Sequence, residues 1–267
     1  MKITDKLLLE LPKGIVLIGE ENTRPFECDG LSVYRQKPLA VVLPESIEQI
    51  KQILKICKLH NTPVVTRGAG TGLSGGAMPL SESVVLGLSK LSQIKHIDTD
   101  KRLAIVEPGV RNIAISEAVA EFGLYYAPHP SRQIACSIGG NVAENSGGVH
   151  CLKYGLTVHN VEAIKVLTIN GEELVLSRDD QGLGLLALMN GSEGLLGVIV
   201  EITVRLTKTP DLARVVMAGF DSVRDCANSV AEIIKAGGIP AGLEMMDGFA
   251  IEAAEKFAKV GYPLDAQ

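Results

Sequence analysis

Two glycine-rich stretches hold the residues best suited to chemistry. One is Arg67-Gly68-Ala69-Gly70-Thr71-Gly72-Leu73-Ser74-Gly75-Gly76. The other is Ser137-Ile138-Gly139-Gly140-Asn141-Val142-Ala143-Glu144-Asn145-Ser146-Gly147-Gly148. Glycine reaches positive φ without steric penalty and leaves its backbone N–H bare to a ligand. Concave arrays of such N–H groups bind phosphate. Two arrays in one chain predict an extended diphosphate gripped from two sides; a pair of flexible surface loops is the competing reading.

Within the first stretch, Gly70-Thr71-Gly72-Leu73-Ser74-Gly75 satisfies G-x-G-x-x-G. That pattern marks a doubly wound dinucleotide site only where it opens a helix after a strand. Val64-Val65-Thr66 supplies a strand, but Gly76-Ala77-Met78-Pro79 follows, and glycine and proline oppose a helix there. The P-loop pattern G-x-x-x-x-G-K-[ST] is absent.

Other reactive side chains are dispersed. Cys28, Cys57, Cys136, Cys151 and Cys226 form no C-x-x-C pair, which argues against a disulfide framework or a cysteine metal site and for a reduced, cytoplasmic setting. His60, His96, His129, His150 and His159 show no helical metal-ligand spacing, so no metal site is expected. Glu107 and Glu244 are isolated carboxylates, and no catalytic residue is assigned. The net charge of -5 and the absence of Trp give no platform for nucleic acid. No segment has the length of a membrane span, and Glu10 and Pro12 interrupt the N-terminal apolar run before it resembles a signal peptide.

The elements that must position the stretches are legible. Leu39–Leu43 reads as a strand, and Ser46 and Gln49 form a capping-box signature. Ile47, Ile50, Ile53, Leu54 and Cys57 then recur at helical spacing before the strand Val64–Thr66. This β-α-β unit predicts a parallel pair with the first glycine stretch at its C-terminal end, where open sheets bind ligands. Leu103–Glu107 reads as a strand, and Asn112 as the cap of a helix running to Gly123. Ala163–Ser177 reads as a hairpin turning at Asn170-Gly171 in type I′ geometry. Val198, Val200, Ile202, Val204 and Leu206 alternate with Ile199, Glu201, Thr203 and Arg205, as in a half-buried strand. Beyond Pro210, Ala213–Phe220 and Leu243–Met246 read as strands. Ser222–Lys235 and the segment from Asp247 to about Val260 read as helices.

Four segments together resemble the FAD-binding domain shared by vanillyl-alcohol oxidase, the MurB reductase and the D-2-hydroxyacid dehydrogenases, with the D subunits of bacterial glycolate oxidases nearest. They are Arg67–Ala77, Val106-Glu107-Pro108-Gly109-Val110, Tyr126–Gly155 and Gly191-Ser192-Glu193-Gly194-Leu195-Leu196-Gly197. The likeness implies an α+β fold. A two-lobed FAD-binding domain would span 1–209, divided near 98/99 into a parallel β-α-β lobe and an antiparallel lobe. An incomplete α/β cap would occupy 210–267.

By that resemblance, FAD is the cofactor, bound without a covalent bond. Its contacts would come from Arg67, Gly68, Ala69, Gly70, Thr71, Gly72, Ser74, Gly75 and Gly76 on one side, with Arg67 either touching the ligand or bracing the loop. Pro128, Ser131, Ser137, Gly140 and Asn141 would line the other side. Ser146, Gly147, Gly148 and Gly155 would approach the flavin ring, and Glu193, Gly194 and Val198 the adenosine end. His129 and Leu195 depart from the aspartate and threonine common at those places. Some members attach flavin through histidine or cysteine; for His150 and Cys151 packing is the preferred reading, as it is for His159.

The implied activity is FAD-dependent oxidation of a small 2-hydroxy acid of D configuration, glycolate or D-lactate. The implied partners are the FAD-binding and iron–sulfur subunits of a glycolate oxidase, or further copies of the chain. The setting is cytoplasmic, peripheral to a membrane only through such partners. No H-x-G-D-G-N-like segment is present, and the chain is about half the family's usual length. A catalytically incompetent FAD carrier needing a partner chain is therefore one alternative, and a MurB-like FAD reductase a second.

Overall fold

The computed structural model describes residues 1–266. Its first lobe contains α1 (Ile3–Glu10), β1 (Val16–Leu17), α2 (Glu20–Thr23), β2 (Ala40–Val42), α3 (Ile47–Leu59), β3 (Val64–Arg67) and β4 (Val84–Gly87). α3 forms where the apolar spacing requires it. Ser46 Oγ accepts from the Gln49 N–H, while Gln49 Oε1 accepts from Glu45 N–H rather than from Ser46. Ile50, Ile53, Leu54 and Cys57 are fully or almost fully buried against the sheet. The sheet order is β1-β2-β4-β3. β2 and β3 are parallel, as their connection predicts, but both pair with β4, which lies between them. β4 carries Val84-Val85-Leu86, wholly buried and never exposed to the alternation that marks a surface strand.

The second lobe contains β5 (Ile94–Asp98), β6 (Leu103–Val106), α4 (Asn112–Val119), β7 (Leu124–Tyr125), α5 (Ile138–Glu144), α6 (Cys151–Tyr154), β8 (Val161–Leu167), β9 (Glu173–Ser177), α7 (Leu185–Met189), β10 (Val198–Arg205) and β11 (Thr207–Lys208). The main sheet is antiparallel, ordered β5-β6-β10-β8-β9. β5 pairs with β6, so the lobes divide between Gly87 and Ile94 rather than at 98/99.

Several local expectations change. Arg111, not Asn112, stands at the N-cap of α4; Asn112 is fully buried and turns its amide inward. The hairpin turn is not type I′, because Asn170 does not adopt the required positive φ. Gly171 alone does, at +79°, in a three-residue connection closed by Gly171 N–H to Thr168 carbonyl and Thr168 N–H to Glu172 carbonyl. The second glycine stretch is not a loop throughout, since residues 138–144 form α5.

The alternation in β10 is interrupted at Val200. Ile199 pairs with Val166 and Glu201 with Lys165, leaving Val200 as the extra residue of a bulge. The phase of the strand shifts there. Val198 and Val200 join the core of the first lobe, whereas Ile199, Ile202 and Val204 join the core of the second.

The remaining segment contains α8 (Val223–Lys235) and α9 (Gly248–Ala258), capped by the side chains of Ser222 and Asp247. Ala213–Phe220 and Leu243–Met246 form no strand among the described residues. Their backbones find no ladder partner, and Val215 and Val216 lie open to solvent.

Candidate functional site

β3 delivers the chain to the first glycine stretch. Arg67 ends that strand and is buried. Its Nη1 donates to the Cys28 carbonyl at 2.7 Å and the Ala77 carbonyl at 3.4 Å, and its guanidinium lies 5.5 Å from the centre of the Phe26 ring. Burial pushes its pKa down. Arg67 is thus a brace across both ends of the loop. A side chain on Gly70, where φ is +68°, would overlap that guanidinium. Gly75 N–H donates to Asp29 Oδ2 at 2.9 Å, and the Gly72 carbonyl accepts from Gly30 N–H at 2.8 Å. The N–H groups of Gly68, Ala69, Gly70, Thr71 and Gly72 make no hydrogen bond among the described residues.

α5 forms the facing wall. Its first turn is held by Ile138 N–H to the Val110 carbonyl and Gly139 N–H to the Pro108 carbonyl, each at 2.8 Å. A Cβ on Gly139 would approach Pro108 Cβ to 2.6 Å, so glycine permits the contact. Asn112 Nδ2 donates to Asn141 Oδ1 at 2.8 Å and fixes the helix from behind. Ser137 precedes the helix with extended backbone, and its buried hydroxyl neither caps the helix nor meets another partner. That hydroxyl faces Gly68 so closely that any Cβ on Gly68 would overlap it. The Gly140 N lies 3.6 Å from the same Cβ position.

The segment 191–197 closes the third side. Gly191 N–H donates to the Val142 carbonyl at 2.9 Å and Glu193 N–H to the Ala143 carbonyl at 2.8 Å, satisfying the C-terminal end of α5. Gly194 presses on Thr66 of β3. These three walls line a cleft of about 180 Å³, partly open to solvent.

Fourteen of the expected residues line this cleft: Arg67, Gly68, Ala69, Gly70, Thr71, Gly72, Gly76, Ser131, Ser137, Gly140, Asn141, Ser146, Glu193 and Gly194. Ser74 and Gly75 stand behind it, bonded to Glu144 and Asp29. Pro128 is buried, and Val198 belongs to the first-lobe core. Gly155 packs against the His159 ring. The cleft also takes in Thr66, Pro108, Arg132, Gly139, Glu144, Gly197 and Ile199, which the sequence reading did not single out. Glu144 had a signal: it stands four residues after Gly140, hence on the same face once 138–144 is read as helix. Its Oε2 accepts from Ser74 Oγ at 2.9 Å. Burial raises its pKa, and the charges of Glu193 and Asp29 raise it further against the lowering effect of the Ser74 hydrogen bond.

A second cavity continues from the first past Gly72, Pro130 and Ser146. It adds His129, Gly147, Gly148, Val149 and Glu244. His129 meets the His150 ring edge-on, with centroids 5.3 Å apart; Tyr154 and then Tyr125 extend the row at 6.1 Å steps. Burial, and to a lesser degree the neighbouring His150, lowers the pKa of His129. His150 Nδ1 donates to the Ala241 carbonyl at 2.7 Å, an assignment forced because a carbonyl only accepts. Cys151 Sγ accepts from Gly148 N–H, and His159 Nδ1 from Leu156 N–H, both at 2.9 Å. Glu244, isolated in the sequence, is brought to this wall by the segment after residue 210. No group of three or more metal-ligating side chains occurs among the described residues.

Residues 38–177 match the model of the FAD binding domain, and residues 209–267 that of the C-terminal domain of FAD linked oxidases. The chain is 57% identical to glycolate oxidase subunit GlcD of Escherichia coli strain K12, over 94% of its own length and 51% of the relative's. It is 37% identical to glycolate oxidase subunit GlcD of Bacillus subtilis strain 168, over 91% of this chain and 52% of that one. D-lactate dehydrogenase of Anaerostipes hadrus is 31% identical, over 100% of this chain and 58% of that protein. The chain thus spans about half the length of the curated relatives it matches. A solved structure of alkyldihydroxyacetonephosphate synthase superposes with a TM-score of 0.78 at 18% identity, covering 90% of this chain and 46% of that one. That likeness establishes the two-lobed α+β fold.

Proposed function

The chain belongs to the FAD-binding domain family, and on that premise we propose that it is the FAD-carrying part of an oxidoreductase acting on a small D-2-hydroxy acid, glycolate or D-lactate. One observation carries the reading. Five successive N–H groups, Gly68 to Gly72, lack protein acceptors, and the buried Ser137 hydroxyl packed against Gly68 is likewise unpartnered; all of them line one cleft. Such a set of free donors fits a diphosphate in the cleft, and without one the buried Ser137 hydroxyl stays unsatisfied. The FAD diphosphate would be held by Gly68–Gly72, Ser137 and Gly140, and the ring region by Ser146, Gly147 and Gly148. The glycolate oxidase and D-lactate dehydrogenase names of the relatives support the substrate class.

When bound, flavin supplies the hydride acceptor. The protein's own part is to bind, orient and move a proton. His129 lines the second cavity and is held toward its neutral form, so it would be the group to receive a proton from a substrate hydroxyl there. His150, fixed through Nδ1, packs edge-on against the His129 ring. Glu244 is the only residue beyond 210 on that wall among the described residues, so the cavity stays open to water. Enclosure and substrate orientation are worth roughly 7–11 kcal/mol of barrier. We therefore expect little turnover from this chain alone, and the names of the relatives support assembly with further subunits of an oxidase. No helix among the described residues is long and apolar enough to cross a membrane.

The test is flavin absorbance of the purified chain, acid precipitation to show whether the flavin is released, and dye-linked oxidation of glycolate and D-lactate with and without the second half of a relative. Release of flavin and turnover only with the added half are expected. Absence of flavin binding would overturn the reading.

A further inference from the structure

The diphosphate cleft carries carboxylates where an anion is expected to sit. Glu144 Oε1 lies 3.2 Å from the Cβ position of Gly72 and 3.1 Å from that of Gly76, and Glu193 Oε2 lies 2.9 Å from the latter. Both line the cleft. Asp29 stands behind the same loop, its Oδ2 engaged by Gly75 N–H. The cations do not balance them in place. Arg67 is committed to the Cys28 and Ala77 carbonyls, and Arg132 reaches the Thr71 carbonyl at 3.2 Å. His129 and Glu244 face Glu144 from the adjoining cavity. The buried Ser137 hydroxyl points independently to a ligand in this cleft.

We propose that Glu144 is a proton-linked positioning residue: it takes up a proton when an anionic diphosphate enters, and its carboxyl, tied to Ser74, then holds the first glycine loop against α5. The inference rests on the diphosphate reading of the cleft. An arriving anion adds to the like charges of Glu193 and Asp29, and like charges disfavour the ionised form. Burial already raises this carboxyl before the ligand arrives. The proton balance is simple: one proton comes from solvent, Glu144 becomes neutral, and no bond other than O–H forms.

The sign follows. The Glu144 pKa is higher in the loaded state than in the free state, so the loaded state binds more protons between the two values. Affinity therefore rises as pH falls through that window, by at most about tenfold per pH unit for one proton. Above the window it levels off at its weaker value.

Flavin fluorescence quenching, titrated on the full chain from the ordinary glutamate value of about pH 4.5 up to about pH 8, reads this directly. Calorimetry in two buffers of different ionisation enthalpy counts the proton. We expect a falling affinity, uptake of up to one proton per FAD, and a flattened profile with tighter binding near pH 8 in Glu144→Gln. That amide retains an oxygen for Ser74. Glu193→Gln should keep most of the slope. If Glu144→Gln does not fold, the carboxyl of isotopically labelled Glu144, followed by NMR with and without FAD, gives the same answer: an upward pKa change supports the proposal and none overturns it. A pH-independent affinity in the parent overturns it, as does an unchanged slope in Glu144→Gln. Disappearance of the slope on adding magnesium ion, with no proton uptake, would also overturn it, because a cation would then be neutralising the carboxylates. Failure of FAD to bind at any pH would instead sink the diphosphate reading itself.

Discussion

Gly68 has no room for a side chain on the cleft wall. A Cβ there would overlap the unpartnered Ser137 hydroxyl of the facing wall. Gly68→Ala should force the Ser137 hydroxyl and the start of α5 away from the first glycine stretch, and lower FAD affinity at least about tenfold, near 1.4 kcal/mol. A titration showing parental affinity would remove Gly68 from the site. Elsewhere the chemistry of single residues is set by burial. Burial pushes the Cys57 thiol up to about 12, so it should resist iodoacetamide until the protein is unfolded, whereas half-exposed Cys28, Cys151 and Cys226 react in the native state. Peptide mapping after brief labelling checks this.

Among the elements, α5 does most to shape the site, and its anchor is the buried Asn112–Asn141 hydrogen bond. Asn141→Ala strands the Asn112 amide and should cost about 1–3 kcal/mol in denaturant unfolding. The sequence conceals this helix because Gly139-Gly140 has poor helix propensity. Carbonyls of Pro108 and Val110, distant in sequence, hold its first turn instead. Reading the segment as loop also hid Glu144, which only the helical period aligns with Gly140. Elements whose signal is local were legible: α3 with its Ser46 cap, the strand β10, and the helices begun by Ser222 and Asp247. The adjacency of β2 to β4 was not, because strand order is decided by packing between elements and leaves no periodic trace. The extended segments 213–220 and 243–246 have strand composition, but composition supplies no partner.

At the scale of the molecule, the segment after residue 210 touches the FAD-binding lobes through few groups, among them the His150–Ala241 hydrogen bond and the contact of Gly242 with Val149. His150→Ala should speed hydrogen exchange across α8 and α9 while protection of β10 stays unchanged. Equal exchange in variant and parent would show that this bond does not secure the segment.

The bulge at Val200 has a consequence for how the protein comes apart. One strand supplies side chains to two cores, Val198 and Val200 to one and Ile199, Ile202 and Val204 to the other. Neither lobe can melt without stripping apolar surface from its neighbour, so the boundary visible in the sheets is not a boundary in cooperativity. Scanning calorimetry of the segment 1–209 should give a single peak whose calorimetric and van't Hoff enthalpies agree. Val200→Ala, which loosens the shared strand on one side only, should pull that peak toward two.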